Sequence, residues 1–114
     1  MNILMALSQL EITGAEVYAT TIADELIERG NKVYIVSDTL TTPTKAEYIK
    51  LEFNKRSLLK RIEHIKFLYN LIKEKDIQIV HAHSRASSWS CQVACKLAGI
   101  PLITTTHGKQ PIHF

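Results

Sequence analysis

Residues 8–37, SQLEITGAEVYATTIADELIERGNKVYIVS, contain the change of pattern that decides the fold. The chain up to Leu7 is a continuous apolar run, which is typical of a buried parallel strand. After Gly14, apolar residues recur at helical spacing with charged residues on the other face, until Gly30 supplies the left-handed residue that ends many helices. A second β-rich run follows at residues 32–37. The stretch therefore predicts a strand, a helix and a second strand.

The same alternation continues along the chain. Further helices are predicted at residues 57–75 and 84–98, and strands at 47–53, 77–81 and 102–106. Strands that alternate with long helices predict an α/β fold with a parallel sheet and right-handed crossovers. Ligands bind such sheets beyond the carboxyl ends of the strands, so we expect the site there. The apolar stripe of the helix at 57–75 is predicted to consist of Leu58, Ile62, Ile65, Tyr69 and Ile72.

The composition is that of an ordinary globular domain. The 114 residues are 46% hydrophobic and 22% charged, enough for one core and too few for two domains. No apolar run reaches the ~20 residues that span a bilayer, and the amino end lacks the basic region of a secretory signal, so we expect a cytoplasmic protein. Cys91 and Cys95 suit neither a disulfide framework nor a CxxC site, and we expect buried, reduced thiols.

Gly14 is a candidate phosphate-binding residue because it opens the first helix after the first strand. Unpaired N–H groups and the helix dipole would face a ligand there, and the missing Cβ would allow close approach. The stretch is not GxGxxG, since Gln9, Glu11 and Thr13 occupy glycine positions, and it has no Walker GK[ST]. Asp38 follows the second strand, where dinucleotide folds carry a ribose-binding acid, but a lone Asp is more often a loop residue. Spacing alone leaves a phosphate site and a plain helix start open.

The histidines offer two interpretations. His81 and His83 form an HxH pattern, which also occurs at the metal sites of hydrolases. Such a site needs more ligands from other strands, and only His107 and His113 remain as candidates. We therefore expect no metal, and a buried structural role for His81. For His107, beside Gly108 at a strand end, a functional role is favoured.

Residues 55–75 are strongly basic, with seven of the fourteen Lys and Arg residues. A basic amphipathic helix can bind an anionic membrane surface, each cation contributing roughly 1 kcal/mol. A solvated outer face is the alternative, and the residues alone favour it. Nucleic acid is not expected, because exposed aromatics are not interleaved with the cations and the net charge is only +3. The cations predicted opposite the apolar stripe are Arg56, Lys60, Arg61, Lys66 and Lys73.

Residues 13–37 and 79–108, with the basic helix between them, resemble the amino-terminal half of GT-B glycosyltransferases. The most telling signals are the GAE of residues 14–16 and the HAH of residues 81–83 paired with a later His107-Gly108. The most similar group is the retaining, group 1 (GT4-like) set that includes sucrose synthases, phosphatidylinositol mannosyltransferases and lipopolysaccharide glucosyltransferases. Residues 2–108 can be aligned with this pattern.

The resemblance implies a Rossmann-like three-layer α/β/α fold with strand order 3-2-1-4-5. It implies sugar transfer, with retention, from a nucleotide sugar to a glycan or lipid-linked acceptor of the cell envelope, with no metal or other cofactor. Residues 1–114 would be part of the acceptor-side domain, inactive without a carboxy-terminal nucleotide-sugar-binding domain. The enzyme would be cytoplasmic, peripheral on the inner face of the membrane through residues 55–75. The alternative is a small flavodoxin-like nucleotide- or ligand-binding module without catalysis.

The resemblance also implies roles for individual residues. His107 would be the catalytic residue, near the reacting centre of the donor sugar. The family usually has two glycines where this chain has Thr13 and Gly14, so the loop departs from the pattern at its first position. The implied donor-binding residues are Thr13, Gly14, Ala15, Gly108 and Lys109. The implied acceptor-binding residues are His83, Ser84 and Arg85.

Overall fold

A parallel sheet with helices on both faces forms the protein in the computed structural model, which describes residues 1–7, 14–53, 57–83 and 85–104. Within these residues the sheet has five strands in the order β3-β2-β1-β4-β5, and every neighbouring pair is parallel. The predicted order 3-2-1-4-5 is confirmed. The strands are β1 (Asn2–Ala6), β2 (Lys32–Ser37), β3 (Glu47–Lys50), β4 (Ile79–Ala82) and β5 (Leu102–Thr104). The helices are α1 (Gly14–Glu28), α2 (Leu58–Glu74) and α3 (Arg85–Ala98).

The sheet lies between two apolar cores. Alternate side chains of a strand point to opposite faces, so Ile3 and Met5 pack in one core with Ala19 of α1. Leu4 packs in the other core with residues of α2 and α3, including Leu68. Burial on both faces explains why β1 and β2 are continuous apolar runs. The radius of gyration, 13.3 Å, is that of a compact chain of this length.

Glycine ends two of the helices as the sequence predicts. Gly30 and Gly99 have φ values of +93° and +73°, in the left-handed region. The N–H of Gly30 donates to the Ile27 carbonyl at 3.0 Å, and the N–H of Gly99 donates to the Cys95 carbonyl at 2.8 Å. At the amino end of α2, the Ser57 hydroxyl accepts the N–H of Lys60 at 3.2 Å and so caps the helix.

The predicted apolar stripe of α2 is wrong at its first two positions. Leu58 and Ile62 are 71% and 53% exposed. The helix carries apolar side chains on more than one face, so the 3.6-residue period alone does not identify the face that packs on the sheet. Its buried residues are His64, Leu68, Leu71 and Ile72.

Both cysteines are buried and reduced, as predicted. Burial raises the pKa of the Cys95 thiol to about 11. Burial, with a smaller contribution from Cys95, also raises the pKa of Cys91. Neither thiol therefore has the thiolate character that reactive cysteines need.

Candidate functional site at the carboxyl edge of the sheet

The carboxyl ends of β1 and β4 border the candidate site. The chain leaves β1 to form α1 on one face of the sheet and leaves β4 to form α3 on the other. Such a reversal opens a crevice, which is where parallel sheets bind ligands. Both helices begin at this edge, so their first-turn N–H groups and positive dipole ends lie there. Gly14 is the first residue of α1 and Arg85 the first of α3.

His83 lies at this edge of the sheet, directly after β4. It is 1% exposed, and its N–H donates to the Ala6 carbonyl of β1 at 2.8 Å. Its ring lies edge-on to Tyr18 of α1, with centroids 6.1 Å apart, and 3.8 Å from the ring of the half-buried His81. Tyr18 is one turn after Gly14. The structure therefore brings the implied acceptor residue His83 close to the start of the implied donor helix.

The other predicted site residues are only partly within the described chain. Gly14 and Ala15 are the first two residues of α1, and Arg85 begins α3, so their backbones lie at the predicted edge. Their roles stay predictions. The residues that lie outside the described ranges are Thr13, Ser84, His107, Gly108, Lys109 and His113.

Glu16 is a buried acid at this edge to which the sequence reasoning assigned no role. It is 1% exposed, and its Oε1 accepts the N–H of Thr41 at 2.8 Å. Its Oε2 lies 3.4 Å from the Thr41 hydroxyl. A carboxylate is stable in such a place only when donors replace water. No local spacing in the sequence signals this burial, because Thr41 lies 25 residues further along the chain.

A second buried acid, Asp38, follows β2 and is 2% exposed. Nearby, the Tyr48 hydroxyl donates to the Ser37 carbonyl at 3.0 Å. Burial raises the pKa of Tyr48, and the negative charges of Asp38 and Glu16 raise it further. The enclosed position of Asp38 favours a structural role over an open ribose site.

His64 of α2 packs behind this edge. It is 5% exposed, and its ring lies edge-on to Phe53, with centroids 5.6 Å apart. Burial lowers the pKa of His64, and the negative charge of Asp38 opposes that shift. The imidazole is therefore favoured in its neutral form.

Two searches of the described part of the chain bear on ligands and membranes. In residues 1–7, 14–53, 57–83 and 85–104, no group of three or more His, Cys, Asp or Glu side chains is arranged to hold a metal ion. The expectation that no metal or other cofactor is needed stays a prediction. Among the described helices, none combines the length and apolar character required to cross a bilayer.

Comparison with known families decides the relationship. The sequence model of Glycosyltransferase Family 4 matches residues 12–114. The chain belongs to this family. It is 31% identical over 74 residues to the UDP-Gal:alpha-D-GlcNAc-diphosphoundecaprenol alpha-1,3-galactosyltransferase of Escherichia coli. That match covers 64% of this chain and 19% of the galactosyltransferase.

Solved structures of larger proteins show the same fold. A glycosyltransferase from Rickettsia africae ESF-5 superposes with a TM-score of 0.82 at 26% identity, over 98% of this chain and 31% of that one. MurG from Acinetobacter baumannii superposes at 0.71 with 15% identity, over 93% of this chain and 35% of that one, which shows the fold alone. The resemblance and the Rossmann-like fold are confirmed. The chain spans about a third or less of the length of these proteins.

Proposed function

We propose that this chain is the acceptor-side domain of a larger enzyme that transfers a sugar from a nucleotide-sugar donor to a glycan or lipid-linked acceptor. The observation that carries the proposal is the contact between α1 and His83 at the carboxyl ends of β1 and β4. There the ring of Tyr18, one turn after Gly14, lies 6.1 Å from the ring of His83. In a family 4 chain, a proposed donor helix and a proposed acceptor residue that lie this close are suited to hold both substrates. The small coverage of the relatives supports a further domain on the donor side.

In this proposal the donor diphosphate meets the first-turn N–H groups of α1. These groups and the helix dipole stabilise negative charge, which grows on the diphosphate as the sugar leaves. Residues 13–15, Gly108 and Lys109 line the donor, and His107 contacts the transferred sugar. The acceptor lies beside His83, Ser84 and Arg85. The second domain supplies the opposing wall that excludes water.

The finer chemistry rests on family resemblance. We propose that the configuration at the transferred carbon is retained. The nucleotide sugar is a substrate in this proposal, and no cofactor takes part. The Escherichia coli relative is named for transfer from UDP-Gal to α-D-GlcNAc-diphosphoundecaprenol. These two compounds are therefore the first pair to test, and we propose that the enzyme acts in envelope synthesis at the cytoplasmic side of the membrane.

The test is a transfer assay on the full-length protein with this substrate pair and a panel of other nucleotide sugars. His107→Ala should abolish transfer, because the proposed contact to the donor sugar is lost. His113→Ala is the matched control, since it removes a histidine to which no role is assigned. Transfer that is equally fast in both variants would contradict the proposed role of His107. Binding of nucleotides without transfer to any acceptor would favour the small binding module.

We also propose that α2 holds the protein on an anionic membrane surface. In its first two turns, Leu58, Leu59 and Ile62 are 71%, 75% and 53% exposed. Lys60 and Arg61 lie between them in the sequence, and Lys60 also pairs with Glu63 at 3.1 Å. Exposed apolar chains among cations suit the boundary of lipid headgroups and acyl chains.

Trp89 of α3 extends this apolar and basic surface. It is 46% exposed, and the Arg61 guanidinium lies 5.4 Å from the centre of its ring. Tryptophan favours membrane interfaces because one end of its ring system is polar. Since α2 and α3 both begin at the carboxyl edge of the sheet, a bound membrane would lie next to the proposed acceptor site.

Vesicle binding tests the membrane proposal. Lys60→Glu with Arg61→Glu should weaken binding to phosphatidylglycerol vesicles at least about thirtyfold, because two attractive charges become repulsive ones. The control pair, Lys50→Glu with Lys96→Glu, makes the same charge change at exposed positions elsewhere. Equal losses in both pairs, or binding that salt does not weaken, would contradict a specific α2 surface.

A further inference from the structure

Carboxylates of α1 hold the loop of residues 38–46, which follows β2, at two places. Near the middle of the loop, Glu16 accepts the N–H of Thr41 at 2.8 Å. Near its end, Asp24 accepts the Thr44 hydroxyl at 2.6 Å and the Lys45 N–H at 2.7 Å. Glu28 adds an ion pair with Lys45 at 3.2 Å. The loop therefore runs along α1, tied to it by hydrogen bonds between residues distant in sequence.

The attachments of the loop to α1 differ in how deeply they are buried. Glu16 is 1% exposed, whereas the Glu28–Lys45 pair has side chains that are 67% and 60% exposed. An exposed ion pair contributes little to stability, because water and salt screen it. A buried carboxylate bonded to a backbone N–H is held far more firmly. The fixed attachment of the loop is thus the one at Glu16.

Glu16 lies in the first turn of α1, two residues after Gly14. The N–H groups of the first helical turn have no partner within the helix, and the position of that turn sets the direction in which they point. The Glu16–Thr41 bond joins this turn to the loop four residues after β2, the strand that pairs with β1 in the sheet. A shift of the first turn would move every N–H group that faces the crevice.

We infer that Glu16 is a positioning residue that sets the first turn of α1, and with it residues 13–15, for binding of the donor diphosphate. This inference rests on the proposed function. Glu16 acts through Thr41 and does not touch the donor. Its own negative charge opposes the diphosphate, so its value to binding comes from geometry. Misplacement of binding groups by about 1 Å can cost on the order of a hundredfold in rate.

Three variants distinguish the hydrogen bond of Glu16 from its charge and from a general loosening of the loop. In the full-length protein, Glu16→Ala should raise the KM for the nucleotide sugar about tenfold or more and leave the KM for the acceptor within about twofold. Glu16→Gln keeps an oxygen that accepts the Thr41 N–H, and should restore the donor KM to within about threefold. Asp24→Ala is the matched control: it removes the hydrogen bonds to Thr44 and Lys45 and should leave both constants within about twofold.

Hydrogen exchange at the Thr41 amide reports the bond itself. Exchange should be at least about tenfold faster in Glu16→Ala than in the wild type, and unchanged in Asp24→Ala. If Glu16→Ala does not fold, Thr41→Pro removes the same N–H from the loop side at an exposed position, and the same rise in donor KM is expected.

Two results would overturn the inference in different ways. Fast exchange at Thr41 with an unchanged donor KM would show that the bond only stabilises the loop, and the proposed function would stand. A wild-type protein that binds no nucleotide sugar would refute the proposed function and this inference with it.

Discussion

Truncation of two leucines on α2 should distinguish the face of the helix that packs on the sheet from the face that sequence periodicity predicts to be buried. Leu68 is 1% exposed and packs in the core cluster with Leu4 and Val80. Leu58, a member of the predicted stripe, is 71% exposed. Leu68→Ala removes three buried carbons, at ~0.8 kcal/mol each, and leaves a cavity, so the expected cost is about 2–5 kcal/mol. Leu58→Ala removes the same atoms where less than a third of the residue is covered, and should cost less than about 1 kcal/mol.

Urea unfolding of residues 1–114, followed by far-UV circular dichroism, measures both changes. A domain of this size has an m-value of about 1.5 kcal/mol/M, so Leu68→Ala should lower the midpoint by roughly 1–3 M. The midpoint for Leu58→Ala should fall by less than about 0.7 M. The reasoning is refuted if the two variants unfold at the same urea concentration, or if Leu58→Ala is the less stable one.

Three other predictions concern His64, the cysteines and Gly14. Burial lowers the pKa of His64 below its usual 6.5, so the folded state binds fewer protons than the unfolded state. The free energy of unfolding should therefore fall as the pH drops from 7 to 5. In urea titrations, His64→Gln should flatten this pH dependence. Because the pKa of Cys95 is raised to about 11 and that of Cys91 is raised as well, both thiols should resist iodoacetamide at pH 8 until urea unfolds the chain, and fast labelling of the native protein would contradict their burial. Gly14→Val should abolish nucleotide-sugar binding, measured by calorimetry, at a cost of only roughly 1 kcal/mol in stability, whereas equal binding by the variant would exclude close approach of the diphosphate to Gly14.

Much of the fold could be predicted because its main strands are buried on both faces. The continuous apolar runs of β1 and β2, and the glycines at residues 30 and 99, mark strands and helix ends with little ambiguity. These patterns predict a parallel sheet but not which strands are neighbours. The order of the strands followed from the family resemblance of residues 13–37 and 79–108.

The packed face of α2 and the role of Glu16 could not be predicted from the pattern alone. The helix has Leu58 and Ile62 on one face and Leu68 and Leu71 on another, and only contact with the sheet distinguishes them. An acid at a helix start is usually exposed. Glu16 is buried because the N–H of Thr41, which is 25 residues away, donates to its carboxylate. Pairing at that distance in sequence is invisible to local spacing.

We propose that residues 1–114 hold only part of a glycosyltransferase site. The most direct measurement compares this chain with the full-length protein in the same assay, with UDP-Gal as donor and α-D-GlcNAc-diphosphoundecaprenol as acceptor. We expect transfer by the full-length protein, no turnover by residues 1–114, and a donor affinity of the short chain no tighter than about 1 mM, because in the proposed function the wall that stabilises the leaving diphosphate comes from a second domain. Turnover by residues 1–114 alone, abolished by His107→Ala, would contradict the claim by showing that the chain already contains the complete site.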